Sequence, residues 1–357
     1  MANYEQYFRD LVEGKRVKPQ DRLLLGCLKG LSLPYSLALR LRAFAYETGL
    51  LRSRRLSRPV ISVGNLTVGG TGKTPMVAWL ARYLLGKGKR VVVLSRGYGG
   101  SAHGDVRMVS DGERILLSPN EAGDEPVLLA KTVPGLAVVI GADRYRAGEY
   151  ALETLKPDIF ILDDGFQHIR LQRDLNVLLV DSRRPFGNGF TLPAGLLREP
   201  AAAAGRADMV IATRSQDGVG LVNPVPGKPF LTAAHTLEGM IPLEGGALAP
   251  FSRLKGVRVM AFSGIADPGC FFDDLERAGV PLVATLAFPD HSTYGDEELA
   301  AICRLRDTSQ SAILITTGKD AIKLVQFKDQ LGPCVVASLR MCFADARPLE
   351  QALEKLL

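Results

Sequence analysis

The chain has 357 residues, 46% of them hydrophobic and 23% charged, which is ordinary for a globular protein with a real core and long enough for two domains. Its cysteines, Cys27, Cys270, Cys303, Cys334 and Cys342, are odd in number and form no Cys-x-x-Cys pair. That argues against a disulfide framework or a structural zinc site and for reduced thiols in a cytosolic compartment.

The net charge of +6 is concentrated at the start: residues 1–58 hold 12 Lys and Arg against 5 Asp and Glu, and the other 32 and 33 nearly cancel. Such asymmetry calls for an anionic partner surface, membrane or nucleic acid. Between Leu23 and Ala45, residues Leu24, Leu28, Leu31, Tyr35, Ala38, Leu41 and Ala45 fall at helical spacing, and Arg52, Arg54, Arg55 and Arg58 follow. Lys29 and Pro34 break the best apolar run, so no spanning helix is expected, and no cleavage site marks a signal peptide. A basic amphipathic stretch can instead lie in the membrane interface, each basic residue adding roughly 1 kcal/mol near anionic lipid. The alternative is a face that packs on the protein's own core. A nucleic-acid arm fits poorly, because the face is Leu-rich and lacks interleaved aromatics.

After Arg58 the pattern alternates. Apolar runs at 60–63, 91–94, 137–140, 159–162, 177–180 and 209–212 read as buried parallel strands, with helices over 75–85 and 145–155. Residues 223–246 are rich in Pro and Gly and read as a domain boundary. A second, shorter series follows at 257–262, 282–286, 312–316 and 335–338. The expected fold is α/β: a basic segment over 1–58, a P-loop NTPase-like parallel-sheet domain over 59–225, and a smaller α/β domain over 226–357 joined by a hinge linker.

The first strand runs into Gly64-Asn65-Leu66-Thr67-Val68-Gly69-Gly70-Thr71-Gly72-Lys73-Thr74-Pro75 and then a helix pattern. Thr67, Val68, Gly69, Gly70, Thr71, Gly72, Lys73 and Thr74 form a phosphate loop, in which backbone N–H groups and the helix N-terminus face phosphate oxygens. Lys73 would reach the β- and γ-phosphates of ATP, and the Thr74 hydroxyl would ligate Mg²⁺. Thr67 stands where the general pattern has Gly. The strand at 159–162 ends in Asp163-Asp164, the form of a second Mg²⁺-handling element. Asp124, in Gly123-Asp124-Glu125-Pro126, reads from periodicity as a helix N-cap, but also as a carboxylate able to orient a hydroxyl and accept its proton. Of the four histidines, His103, His168, His235 and His291, none is marked out by its pattern alone.

Together these segments, with Leu94-Ser95-Arg96-Gly97-Tyr98-Gly99, Asp163-Asp164-Gly165-Phe166-Gln167-His168, Leu192-Pro193-Ala194-Gly195, Leu197-Arg198-Glu199-Pro200, Gly264-Ile265-Ala266-Asp267-Pro268 and Asp290-His291, resemble the tetraacyldisaccharide 4′-kinase family, the lipid A 4′-kinases of Gram-negative bacteria. Thr67 at the head of the loop is also a trait of that family. The resemblance implies an enzyme on the cytoplasmic face of the inner membrane that transfers the γ-phosphate of ATP, with Mg²⁺, to the 4′-hydroxyl of an acylated glucosamine disaccharide 1-phosphate. It implies Asp124 as base with His291 as its partner from the second domain, and a metal handled by Thr74 and Glu125 near Asp163 and Asp164. Arg96, Tyr98, Arg144 and Arg198 are then contacts for ATP or substrate phosphate. Two positions depart from the family pattern: Gly318, where an acid is expected before Lys319-Asp320, and Ser292 after His291. A reading of a different class is a membrane-associated P-loop ATPase that uses hydrolysis as a switch.

Overall fold

The computed structural model describes residues 2–102, 105–213 and 221–357, so His103 lies outside the described residues. Among the described residues twelve strands form one sheet: β1 (Val60–Asn65), β2 (Val91–Ser95), β3 (Arg107–Asp111), β4 (Ala137–Ile140), β5 (Ile159–Asp163), β6 (Leu175–Asp181), β7 (Met209–Thr213), β8 (Phe230–Pro242), β9 (Val259–Ser263), β10 (Leu282–Ala287), β11 (Ile313–Thr317) and β12 (Cys334–Phe343). Their order is β10-β9-β11-β12-β8-β7-β6-β1-β5-β2-β4-β3. All neighbours run parallel except β3 against β4 and β12 against β8. Strands β1, β2, β4, β5 and β7 are buried along their whole length, as expected where helices cover both faces of a parallel sheet. At the sheet edge, β10 instead alternates half-buried and exposed residues.

All ten strands read from apolar runs are present, with ends shifted by a few residues. Two were not anticipated. β3 is short and mixed in polarity, and β8 lies within the Pro- and Gly-rich stretch at 223–246. β8 serves both parts of the sheet: Phe230, Leu231 and Thr232 pair with β7, and the following residues pair with β12. Of two large apolar clusters, one is centred on β1, β2 and β5 and runs through Leu231 and Ala233 of β8 to Met341 of β12, and the other is centred on β9, β11 and β12.

The helices are α1 (Ala2–Val12), α2 (Pro19–Glu47), α3 (Lys73–Gly86), α4 (Pro119–Ala122), α5 (Asp124–Thr132), α6 (Arg144–Thr154), α7 (Pro268–Arg277), α8 (Asp296–Thr308), α9 (Gly318–Leu324), α10 (Lys328–Leu331) and α11 (Arg347–Glu354). α2 runs unbroken through Pro34 for 29 residues. Only Asp21 and Ser32 on it are buried, while Leu31 is 61% exposed, Leu41 59% and Phe44 57%. Its apolar face therefore does not pack on the protein's own core. No helix among the described residues is long and apolar enough to cross a membrane. The anchor of α2 is polar: Ser32 Oγ and Thr191 Oγ1 lie 2.9 Å apart in a buried hydrogen bond, and Lys29 sits over the Phe190 ring.

Candidate active site

β1 delivers the chain to the phosphate loop, and α3 begins at Lys73. Gly72 has φ +79°, and a Cβ there would overlap the His235 ring from β8, so this turn strongly favours glycine. Thr67 is not among the residues with positive φ, which is why a side chain is tolerated where the general pattern has Gly. It forms an isolated antiparallel bridge with Leu197, and the Val68 N–H donates to the Leu196 carbonyl at 2.7 Å. The loop at 196–198 thus braces the phosphate loop, and through Thr191 the same segment reaches α2.

Lys73 Nζ donates to Asn65 Oδ1 at 3.2 Å and lies 3.7 Å from Asp164 Oδ1. Arg198 makes a two-pronged ion pair with Asp164, at 2.7 and 3.0 Å, and also bonds Asn65 Oδ1. Gln167 Nε2 donates to the Asn65 carbonyl at 2.9 Å. Burial would raise the Asp164 carboxyl, but Lys73 and Arg198 outweigh it and hold the group below its ordinary value. Asp163 is different. It is buried, Ser95 Oγ donates to its Oδ2 at 3.1 Å, and its Oδ1 is buried without a hydrogen-bond partner. Desolvation, then the charges of Glu125 and Asp164, push its carboxyl well above the usual carboxylate range. The same charge effect puts Glu125 within electrostatic reach of Asp163.

The orphaned Asp163 Oδ1, the neighbouring Asp164 and the Thr74 hydroxyl at the start of α3 are oxygen donors of the kind a hard divalent cation takes. Among the described residues, no three His, Cys, Asp or Glu side chains gather into a closed metal cage. A phosphate-transfer site does not need one, since Mg²⁺ keeps waters and takes one or two protein oxygens besides those of the phosphates.

The second part of the site starts at Asp124. Gly123 caps α5 with φ +87°, and a Cβ there would overlap the Tyr98 carbonyl oxygen, which fixes the 96–99 loop against the helix start. Asp124 is the first residue of α5 and makes no cap bond, so the capping reading from periodicity does not hold. Its Oδ2 lies 3.1 Å from His291 Nδ1 and accepts from Lys323 Nζ at 3.0 Å. Burial alone would raise this carboxyl; the His291 bond and the Lys323 charge prevail and keep it below its ordinary value. His291 has φ +61°, a conformation uncommon outside glycine, and its backbone N–H bonds Asp290 Oδ1 at 3.0 Å and the Gly264 carbonyl at 3.2 Å. Lys319 Nζ lies 2.8 Å from Asp290 Oδ1 and 3.2 Å from His291 Nε2.

The remaining expected contacts distribute unevenly. Tyr98 is 75% exposed, with its ring edge-on to His291 at 6.4 Å between centroids. Arg96 is exposed. Arg144 is buried at the start of α6, donates to the Gly141 carbonyl at 2.9 Å, and is pushed down to about 10 by burial. Sequence reasoning missed Asn65, Ser95, Lys319 and Lys323. Asn65 ends a fully buried strand, and Lys323 interrupts the buried run Ala321, Ile322 and Leu324, so each was a polar group in an apolar context.

Comparison with known proteins agrees over nearly the whole chain. The model of the family described as tetraacyldisaccharide-1-P 4′-kinase (LpxK) matches residues 24–357. A relative from Geobacter metallireducens named tetraacyldisaccharide 4′-kinase is 57% identical over 339 residues, 94% of this chain and 99% of that one. One of the same name from Pelobacter propionicus is 53% identical over 352 residues, 98% of each chain. Among solved structures, the "apo" form of LpxK from Aquifex aeolicus in complex with ATP superposes with a TM-score of 0.80 at 37% identity, over 93% of this chain and 99% of that one. The chain belongs to the tetraacyldisaccharide-1-P 4′-kinase family.

Proposed function

We propose that this protein is an ATP-dependent kinase that phosphorylates the 4′-hydroxyl of a tetraacylated glucosamine disaccharide 1-phosphate, a lipid A precursor, giving lipid IVA. The observation that carries the reading is an acid–imidazole pair, Asp124 and His291 at 3.1 Å, one residue along the chain from an acid that acts electrostatically on the buried Asp163. A hydrolytic switch would also need a group to orient its water, so the pair speaks for a sugar hydroxyl as acceptor in company with the family match.

In this reading the 4′-oxygen bonds to the γ-phosphorus of ATP, the β–γ bridging bond breaks, and the hydroxyl proton passes to the Asp124–His291 pair. Backbone N–H groups of 67–74 and Lys73 hold the phosphates, while Arg198 and Asn65 keep Asp164 and Lys73 in register. Thr74 and Asp163, with Glu125 and Asp164 beside them, would hold Mg²⁺, whose charge screens the phosphate oxygens when bound. Tyr98, edge-on to His291, and the exposed Arg96 are free to meet substrate, while the buried Arg144 acts on Asp163 and Asp164 through its charge.

The acylated substrate brings the membrane into the mechanism. Exposed Leu31, Leu33, Leu37, Leu41 and Phe44 on α2, flanked by the arginines at 52–58, fit a peripheral or monotopic helix lying on the cytoplasmic face of the inner membrane. We also divide the chain into a phosphate-binding core over 59–225 and a smaller domain over 226–357, with β8 as the hinge, so that closure brings His291 to Asp124. Transfer of label from [γ-³²P]ATP to the lipid in micelles tests the whole reading. Label in the lipid, abolished in Lys73→Ala and Asp124→Ala, supports the kinase; label only as free phosphate would overturn it in favour of the switch ATPase.

A further inference from the structure

Lys319 and Lys323 lie four residues apart on α9 and so share one face of it. That face meets both members of the Asp124–His291 pair. Lys323 Nζ is 3.0 Å from Asp124 Oδ2 and 2.7 Å from the Ser292 carbonyl, and its side chain is 7% exposed. It also sits 5.7 Å above the Tyr294 ring. Lys319 Nζ is 3.2 Å from His291 Nε2, steadied by Asp290 at 2.8 Å.

An ammonium group has donors and no acceptor. Its contact with His291 Nε2 therefore makes that nitrogen the acceptor and puts the ring proton on Nδ1, where Asp124 receives it. Lys323 works on the other partner: it gives Asp124 a fixed cation and, through the Ser292 carbonyl, fixes the loop next to His291. Burying a lysine among Ala321, Ile322 and Leu324 is costly, and an apolar residue would fill the place without that cost. A stability role alone leaves the choice of lysine unexplained. Orientation of the pair accounts for it.

We infer that Lys319 and Lys323 are positioning residues for phosphoryl transfer, Lys319 fixing the tautomer of His291 and Lys323 the place of Asp124. The inference rests on the kinase reading for its purpose, and on hydrogen-bond geometry for its content. α5 carries Asp124 and α9 carries both lysines, so the Lys323–Asp124 ion pair also ties the two parts of the sheet together across the site.

The test combines kinetics with a spectrum that needs no turnover. Lys319→Met and Lys323→Met should each lower kcat for label transfer by about 10- to 100-fold, part of the 10²- to 10⁴-fold that proton transfer supplies, with KM for ATP unchanged. Lys319→Arg should recover most of the loss. In a His291→Ala background Lys319→Met should cost no more than about twofold, and likewise Lys323→Met in Asp124→Asn. Equal losses in both backgrounds would show that the lysines act elsewhere. In ¹⁵N spectra of histidine side chains, His291 should carry its proton on Nδ1, and Lys319→Met should shift the Nε2 resonance by removing that nitrogen's donor. A proton on Nε2 in the wild type overturns the inference even if lipid is phosphorylated normally. The Nδ1 proton in a protein that transfers nothing to lipid overturns the kinase reading and leaves the placement standing. Should Lys323→Met fail to melt cooperatively, the Lys319 cycle and the spectrum decide alone.

Discussion

The two ends of the candidate site are built in different ways. At the phosphate end, Asn65, Lys73, Asp164 and Arg198 bond to one another around a loop whose shape is set by backbone and glycine. At the acceptor end, Asp124 meets partners 167 and 199 residues away, and no short stretch of chain contains the arrangement. The phosphate loop itself follows from local structure, although Asp164 and Arg198 reach it from distant segments of the same part of the sheet; the second end exists only when the parts of the sheet on either side of β8 stand in the right relation. Changes at the phosphate end should therefore abolish nucleotide binding and chemistry together. Changes at the acceptor end should spare nucleotide binding.

The largest effect is expected from Lys73→Ala, which removes the cation beside Asp164 that the kinase reading sets against the phosphates. Lipid labelling should fall by about 10³-fold, and equilibrium dialysis should show ATP binding lost with it. Retention of tight ATP binding would dissolve the contrast, because the phosphate end would then not be the nucleotide's main hold. Next come Asp124→Ala and His291→Ala, each expected to lower kcat by about 10²-fold with ATP binding intact. As members of one unit they should be non-additive, the double variant being within about twofold of the worse single one. Fully multiplicative losses would mean two independent groups.

The same contrast explains what could be read from sequence. The phosphate loop was legible because strand, Gly-rich turn and Gly-Lys-Thr are contiguous and each has a local physical meaning. Asp163-Asp164 was legible as an acidic strand end, but the different states of the two acids were not, since one faces Lys73 and Arg198 while the other faces Ser95, Glu125 and a dry core. Asp124 looked like a helix cap because capping is the local use of an aspartate there; only tertiary partners from 291 and 323 reveal another. His291 became a candidate through family resemblance alone. β8 was masked by the Pro and Gly around it, and its pairing with strands on both sides is a long-range property.

A smaller effect should come from α2, which bears on how the acceptor arrives. Leu31→Asp combined with Leu41→Asp places two charges on an exposed apolar face, and sedimentation with anionic vesicles should show binding weakened by about tenfold or more. ATP binding should not change. Unaltered vesicle binding would remove α2 from the acceptor side of the comparison and leave the arginines at 52–58 as the membrane contact.

The smallest effect concerns His168, which follows the paired acids at the phosphate end. Burial, then repulsion from Arg144, pushes its imidazole down to about 4, from an ordinary 6.5. The native state thus binds fewer protons than the unfolded chain between those values. Stability from this group is whole above pH 6.5 and is lost as pH falls toward 4, because the unfolded chain takes up a proton that the buried ring refuses. Urea midpoints at pH 7 and pH 5 should drop more for the wild type than for His168→Gln, which keeps a polar side chain but cannot titrate. Equal drops would mean that the ring is solvated enough to protonate in place. The phosphate end would then be looser than its internal bonding implies, and its contrast with the acceptor end would be one of degree.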